Sequence, residues 1–253
     1  MRRSFIIFGA TSVLFPIGLV HSAPSLDERK EKIKAMENKL APEALARRAR
    51  SEKVLRAEGV TINPYFPVLD TVSEIKQRPK DQIAYRALSL IVVALKGEGV
   101  EPAKINSLIK EYGLEKYLSP KENAFIRNPK ASEHDKIQFV WRYEAAWVLL
   151  WSLGFIKQLQ KPSTICDASI AVKIMRDRST KQFLSDAKLR PMSEVLDQAD
   201  LIYRYHWAVV DANLKGKLPP GKLDGGVTME RHYALNWLIG YFDQEWDDIS
   251  TDT

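Results

Sequence analysis

The chain has 253 residues, of which 45% are hydrophobic and 28% charged, and these ordinary globular values exclude a wholly disordered protein. The formal net charge is +6, and much of the basic excess lies in residues 27–58, which hold ten basic and seven acidic side chains and no aromatic one. A nucleic-acid-binding surface needs a denser basic patch with aromatics interleaved, so we expect no nucleic-acid partner.

Residues 1–22 predict a secretory signal peptide. Arg2 and Arg3 form its positive start, an apolar run follows over residues 5–20, and small residues stand at Ser22 and Ala23. The run is shorter than the about 20 residues that a membrane span needs, so cleavage after Ser22 would leave no stable anchor. We expect an exported protein, periplasmic or secreted. A twin-arginine export signal and an uncleaved anchor are the alternatives.

Residues 24–58 predict a charged helical segment, because Lys, Glu, Ala and Arg have good helix propensity. Pro42 interrupts this segment and suits the first turn of a second helix, and Gly59 is the predicted helix C-cap. The sparse apolar positions favour a solvated helix lying on the body of the protein. The remaining residues, 59–253, predict a helical domain.

The helices of this domain follow from their start signals and periodicity. Pro79 opens a helix to Lys96 that is apolar nearly all round, as a buried helix is, and residues 102–112 form an amphipathic one. The other predicted features are an N-cap at Ser119, one helix from Ser132 to Gly154, another from Pro191 to Asn213 and a last one over 229–241 capped by Thr228. No alternating strand pattern occurs, so the fold prediction is all-α, a single irregular multi-helix domain.

Polar residues set within these apolar helices are the candidates for chemistry. Glu144 shares a helix face with Trp141, Trp147 and Trp151, so its carboxylate must be paired or its pKa must rise. Asp200 and Arg204 are four residues apart and can pair. The catalytic candidates are Glu144, His206, Glu230 and His232, and the binding candidates are Arg142, Arg204, Trp207, Arg231 and Asn236.

Three interpretations of these residues compete. They are buried networks that fix helix packing, or a converging acid/base or ligand site, or a metal site in a helical bundle. The bundle metal site requires a Glu-x-x-His pair on each of two helices, which neither Glu144 nor Glu230 supplies. We therefore predict no metal and no cofactor, and packing networks are the favoured interpretation.

Two further features have a structural and a functional interpretation. Cys166 is the only cysteine, so it forms no disulfide within the chain, and a small buried side chain is favoured over a reactive thiol. The acidic tail holds Asp247, Asp248 and Asp252, which could bind a divalent cation. A solvated tail, or one paired with the basic segment of residues 27–58, is favoured.

Several long segments together resemble the bacterial domain-of-unknown-function family 4272. They are RSEKVLRAEGVTINP from Arg50, WRYEAAWVLLWSLG from Trp141, LRPMSEVLDQADLIYRYHWAVVDA from Leu189, MERHYALNWLIGY from Met229 and WDDISTDT from Trp246. The resemblance implies a helical domain and a bacterial source, and it implies no activity and no catalytic residues. The leader and residues 27–49 depart from family members that begin near the Arg50 segment.

The leading functional hypothesis is therefore a non-enzymatic exported helical protein that binds a protein partner or a small ligand. The alternative is an acid/base enzyme, hydrolase-like, that uses Glu144 with a histidine or arginine from a neighbouring helix. An exposed apolar groove would favour binding, and a pocket that holds Glu144 beside His206 or His232 would favour the enzyme.

Overall fold

A computed structural model describes residues 27, 28, 31 and 41–253, and the signal peptide predicted for residues 1–22 lies outside them. All regular elements of the described residues are helical, which confirms the all-α prediction. The α-helices are α1 (Pro42–Ala57), α2 (Lys80–Gly97), α3 (Pro102–Tyr112), α4 (Pro120–Arg127), α5 (Glu133–Val140), α6 (Arg142–Ser152), α7 (Ala168–Arg176), α8 (Thr180–Asp186), α9 (Met192–Leu214) and α10 (Gly225–Leu238). Short 3₁₀ turns cover Val72–Glu74, Pro220–Lys222, Tyr241–Asp243 and Trp246–Asp248.

Helix α2 forms the centre of the core. It packs against α3, α5 and α6, and its apolar side chains from Ile83 to Ala94 are buried on nearly every face, as its sequence predicts. Helices α9 and α10 form an antiparallel pair beside α6, with α1 lying on α9. Among the described residues no helix is both long and apolar enough to cross a bilayer.

Helix α1 lies on α9 and buries the face that contacts it. Ala44, Arg47, Ser51 and Leu55 are buried on that face. The Arg47 guanidinium donates to the Asp70 carbonyl oxygen at 2.8 Å. Arg47 can be buried on this face because its long stem covers apolar surface while its guanidinium reaches the Asp70 carbonyl oxygen.

The helix start signals were predictable because they are local. Ser119 and Ser132 are N-caps with capping boxes to Glu122 and Asp135 respectively. The helix Pro102–Tyr112 has the predicted bounds. Gly59 follows α1 with φ +66°, the left-handed conformation that favours glycine after a helix end.

Two predicted helices, the one from Ser132 to Gly154 and the last one over 229–241, have different bounds in the structure. The expected single helix from Ser132 to Gly154 is divided at Trp141, where the Glu144 N–H bonds back only three residues to the Trp141 carbonyl and tightens the turn. The last helix begins at Gly225 and is capped by Asp224, whose side chain accepts from the Val227 N–H at 2.9 Å. Thr228 is therefore inside this helix and not its cap.

Gly97 lets α5 contact the end of α2. A Cβ atom at this position would lie 2.7 Å from the Lys136 carbonyl oxygen and 3.1 Å from the Val140 backbone nitrogen. We expect Gly97→Ala to lower the free energy of unfolding by about 1–3 kcal/mol, because backbone atoms cannot move aside as a side chain can. Urea unfolding measures this. Gly225→Ala is the control, since its Cβ would meet only a Val209 methyl at 3.3 Å, and an equal loss there would contradict the explanation.

The acidic tail is packed against the domain through Trp246, while Asp248 is exposed, as expected of a solvated acid. Trp246 is buried against the rings of Tyr233 and Trp237. The Asp247 carboxylate accepts from the Ser119 hydroxyl at 2.6 Å and from the Lys121 N–H at 2.8 Å. Asp247 of the tail thus pairs with the start of α4, where the unpaired N–H groups of a helix favour a carboxylate. The predicted pairing with residues 27–58 falls partly outside the described residues.

Candidate functional site

The predicted site residues lie on α6, α9 and α10, and their contacts divide them into four separate clusters. The first is the ion pair of Glu144 with Arg231, whose Nε lies 2.9 Å from the carboxylate and whose Nη1 donates to the Gln160 carbonyl at 2.7 Å. The Cys166 N–H donates to the other Glu144 oxygen. Glu144 and Arg231 are both buried, so the carboxylate is paired as its apolar surroundings require.

The second cluster joins Arg142 to Glu230. Their side chains lie 3.0 Å apart, and the Arg142 guanidinium also lies 4.7 Å from the ring centroid of Tyr233. Burial raises the pKa of the Glu230 carboxyl, while Arg142 acts to lower it and nearby Glu144 to raise it. Two acids on different helices thus each have their own arginine, an arrangement that fixes how α6 packs on α10.

The third cluster is the pair of histidines. The Nδ1 atoms of His206 and His232 are 2.9 Å apart, so one ring donates and the other accepts. Burial lowers the pKa of His206 to about 4 and lowers that of His232 well below its usual value. The Asn236 side chain acts to raise the pKa of His232 and donates to the Ser250 carbonyl at 2.8 Å, which links the pair to the tail.

The fourth cluster contains Asp200 and Arg204, whose predicted pairing is confirmed. Two bonds of 2.9 Å join the guanidinium to the carboxylate, and Arg204 also donates to the Pro67 carbonyl. Half-buried Trp207 packs on Phe66, at 5.9 Å between ring centroids. The candidates do not converge: Glu144 contacts an arginine and a backbone N–H, whereas the two histidines contact each other.

Cys166 lies beside the first cluster as a half-buried free thiol. Burial, together with the neighbouring Glu144 carboxylate, raises the pKa of this thiol far above its usual value. Because the thiolate is the nucleophile, a thiol that stays protonated is a poor one. The favoured interpretation as a structural side chain therefore agrees with its surroundings.

An open groove of about 590 Å³ is lined by none of the nine predicted residues. One wall is the face of α7 that carries Ala168, Val172 and Arg176 in one row and Ser169, Lys173 and Asp177 in the next, each four residues apart. The other wall is formed by Leu95, Glu98 and Tyr143. Sequence analysis missed the groove, although the amphipathic spacing of α7 could have identified this helix.

The Glu98 carboxylate is held in place within the groove. Glu98 is the C-cap residue of α2, and the buried Tyr143 on α6 donates its hydroxyl to Glu98 Oε2 at 2.9 Å. Burial, with Glu98 as acceptor, raises the pKa of Tyr143, so its hydroxyl stays a donor. On the α7 wall, Lys173 and Asp177 pair at 2.6 Å, while Arg176 has no ion pair within the described part of the chain.

The groove therefore presents a positioned carboxylate on one wall and a guanidinium on the other. Such an arrangement can bind complementary charges. The Ser169 hydroxyl, which also lines the groove, donates to the Asp167 carboxylate at 2.5 Å. The residues that the structure describes also contain no group of three His, Cys, Asp or Glu side chains placed to hold a metal ion.

Comparison with known proteins identifies the family of the chain. No curated protein and no solved structure matches it. The family model described as "Domain of unknown function (DUF4272)" matches residues 47–249, which include every helix from α2 to α10 and most of α1. The chain belongs to the DUF4272 family.

Proposed function

We propose that this chain is an exported, non-enzymatic helical protein that binds a small ligand carrying both a cationic and an anionic group. The observation that carries the proposal is the Glu98 carboxylate, fixed by the Tyr143 hydroxyl in an open groove whose other wall bears Arg176. The proposed export rests on the leader of residues 1–22, with its two arginines and apolar run.

Glu98 supplies the cation-binding half of the groove. Its Oε2 atom accepts from Tyr143 at 2.9 Å, and a carboxylate has further lone pairs for an ammonium or guanidinium of the ligand. Holding the carboxylate before the ligand arrives reduces the side-chain entropy that binding would cost. A hydrogen bond between two charged groups is also stronger than one between neutral groups.

Arg176 supplies the anion-binding half. Its guanidinium is exposed on the last turn of α7, and no acid of the described chain pairs with it. Lys173 is already paired with Asp177, so it serves less well. Arginine binds a planar carboxylate or phosphate through two parallel bonds, which favours an anionic group on the ligand.

The size and walls of the groove suit a small molecule. Its volume of about 590 Å³ lies inside the usual range of ligand sites, roughly 300–1,000 Å³. Leu95, Ala168 and Val172 give the walls apolar surface for the ligand's carbon skeleton. A zwitterion with a short aliphatic body, such as a basic amino acid or a short mixed-charge peptide, combines these requirements.

Binding is proposed in place of catalysis because of where the titratable groups lie. The acid/base alternative requires Glu144 near a histidine, yet Glu144 contacts Arg231 and Cys166 while His206 contacts His232. Each of these groups is committed to a buried pair. None of them lines the groove, where a ligand could reach it.

A binding screen with matched variants tests the proposal. The probes are L-arginine, L-lysine, glycine betaine and a lysyl-aspartate dipeptide, measured by titration calorimetry. We expect at least one probe to bind, and Glu98→Gln to weaken its binding about tenfold or more, since a charged hydrogen bond contributes about 1.5–3 kcal/mol. Arg176→Gln should weaken binding as well, since every one of these probes carries a carboxylate.

Glu101→Gln is the control, because Glu101 is an exposed acid three residues away that does not line the groove. If none of the four probes binds, or if the Glu101 variant loses as much affinity as the Glu98 variant, the proposal is wrong. Thermal unfolding of each variant beside the original chain tests whether a difference in probe affinity comes from misfolding.

A further inference from the structure

Two leucines are exposed to solvent at the connection between α9 and α10. Leu218 is 90% exposed and Leu214 is 84% exposed, and all residues from 213 to 218 are exposed. Single exposed apolar side chains are normal on protein surfaces. Here, however, two of the three most exposed large hydrophobic residues in the described chain stand four positions apart. We call residues 214–222 the lysine–leucine tip.

The backbone of the lysine–leucine tip is held at both ends. At its start, Gly216 has φ +64°, and the Lys217 N–H reaches the Ala212 carbonyl at 2.9 Å, which closes α9 with a Schellman cap. At its end, Gly221 lies so close to Val60 that a Cβ would approach a Val60 methyl to 2.7 Å. The leucines are therefore displayed on a defined turn, not on a loosely held loop.

The charge of the lysine–leucine tip has one sign. Lys215, Lys217 and Lys222 lie within it, and it contains no acid. Lys215 pairs with Asp211 at 2.7 Å, just before the tip. Lys217 and Lys222 are exposed and have no ion pair among the described residues. The next acid, Asp224, is occupied in capping α10.

We infer that the lysine–leucine tip docks on a bilayer surface that contains anionic lipids. Exposed leucines gain free energy by entering the acyl boundary, and lysines beside them remain at the headgroups, where anionic lipids attract them. Because either contribution alone is weak, their combination in nine residues is what makes the surface effective. This inference is independent of the ligand groove.

A lipid surface suits the tip better than a protein partner does. A stable protein interface buries about 1,200–2,000 Å² in total and is anchored by aromatic or arginine side chains. The tip is a short turn with neither an aromatic nor an arginine. A bilayer needs no matching pocket, so two leucines with flanking cations are enough to contact it.

The test places a dye at the tip of the full-length chain. The leader could itself carry the chain to vesicles, so the readout must report position. In a Cys166→Ser background, an environment-sensitive dye is attached at Asn213→Cys, next to the tip, or at Gln138→Cys on α5 as the control. Both positions are exposed. The vesicles are phosphatidylglycerol with phosphatidylcholine in equal parts, or phosphatidylcholine alone.

We expect the Asn213 dye to brighten and shift to shorter wavelength with the anionic vesicles, and the Gln138 dye to stay unchanged. Replacing both leucines by serine should raise the lipid needed for half the response about tenfold or more, given the apolar area of a leucine. Lys217→Gln with Lys222→Gln should weaken the response to anionic vesicles, and added salt should do the same.

Three outcomes would overturn the inference. The first is an Asn213 dye that stays in water while the chain sediments with the vesicles. The second is an equal response to neutral and anionic vesicles. The third is a response that grows with protein concentration in the absence of lipid, which would assign the tip to contact between copies of the chain.

Discussion

Glu144→Gln is expected to lower the melting temperature by roughly 10 °C. The glutamine keeps the shape of the side chain and can still accept from the Cys166 N–H, so the change removes mainly the negative charge opposite Arg231. Removing one partner of a buried ion pair costs about 3–5 kcal/mol, because the other charge stays buried without compensation. For a protein of this size each kcal/mol shifts the melting temperature by about 2–4 °C.

A control variant and a double variant distinguish the effect of breaking the ion pair from the effect of replacing a glutamate. Glu194→Gln makes the same chemical change in an acid whose side chain is 50% exposed and pairs with Arg190, so it should cost less than about 1 kcal/mol. Glu144→Leu combined with Arg231→Met removes both charges and should recover most of the lost stability. If Glu144→Gln leaves the melting temperature unchanged or raises it, Glu144 does not stabilise the fold, as is often true of functional groups.

The prediction succeeded where the determining interactions are close in sequence. The caps at Ser119 and Ser132 involve residues three positions further on, and the Asp200–Arg204 pair spans one turn of a single helix. The all-round apolar pattern of α2 indicates burial whatever lies around it. Such features depend on local geometry and composition, and both can be read from the chain.

The prediction failed where partners are far apart in sequence. The desolvation of Glu144 followed from its apolar neighbours, but its partner Arg231 lies 87 positions away on another helix. The groove combines the end of α2, one residue of α6 and one face of α7, and these segments meet only through packing. The sequence does not identify Tyr143 and Glu98 as site residues, because neither belongs to a motif and the hydrogen bond between them spans 45 positions.

The two buried histidines are expected to make the fold sensitive to mild acid. Both are kept neutral by burial, and burial lowers the pKa of His206 to about 4 against about 6.5 in an unfolded chain. The unfolded chain therefore binds more protons between pH 6.5 and pH 4, and stability falls as the pH falls through that window. His206 alone should lower the free energy of unfolding by about 2 kcal/mol between pH 6.5 and pH 4.5. His232 acts in the same direction.

The geometry of the histidine pair disfavours protonation, as burial does. A doubly protonated pair would place two donors and two positive charges at Nδ1 atoms that are now 2.9 Å apart, where one must accept. Among the contacts of the pair, the Tyr203 ring lies tilted against His232 at 5.4 Å between centroids, and Asn236 acts to raise the pKa of His232. Neither residue brings a negative charge that would stabilise an imidazolium.

Urea unfolding at a series of pH values measures this dependence in the original chain and in His206→Asn. The variant should be less stable at pH 7 but should lose about 2 kcal/mol less than the original chain between pH 6.5 and pH 4.5, because carboxylates that titrate near pH 4 contribute equally to both. His134→Gln, at an exposed position on α5, is the control for replacing a histidine outside the pair. Equal slopes for the original chain and His206→Asn would mean that the acid sensitivity of this fold comes from its carboxylates and not from the histidine pair.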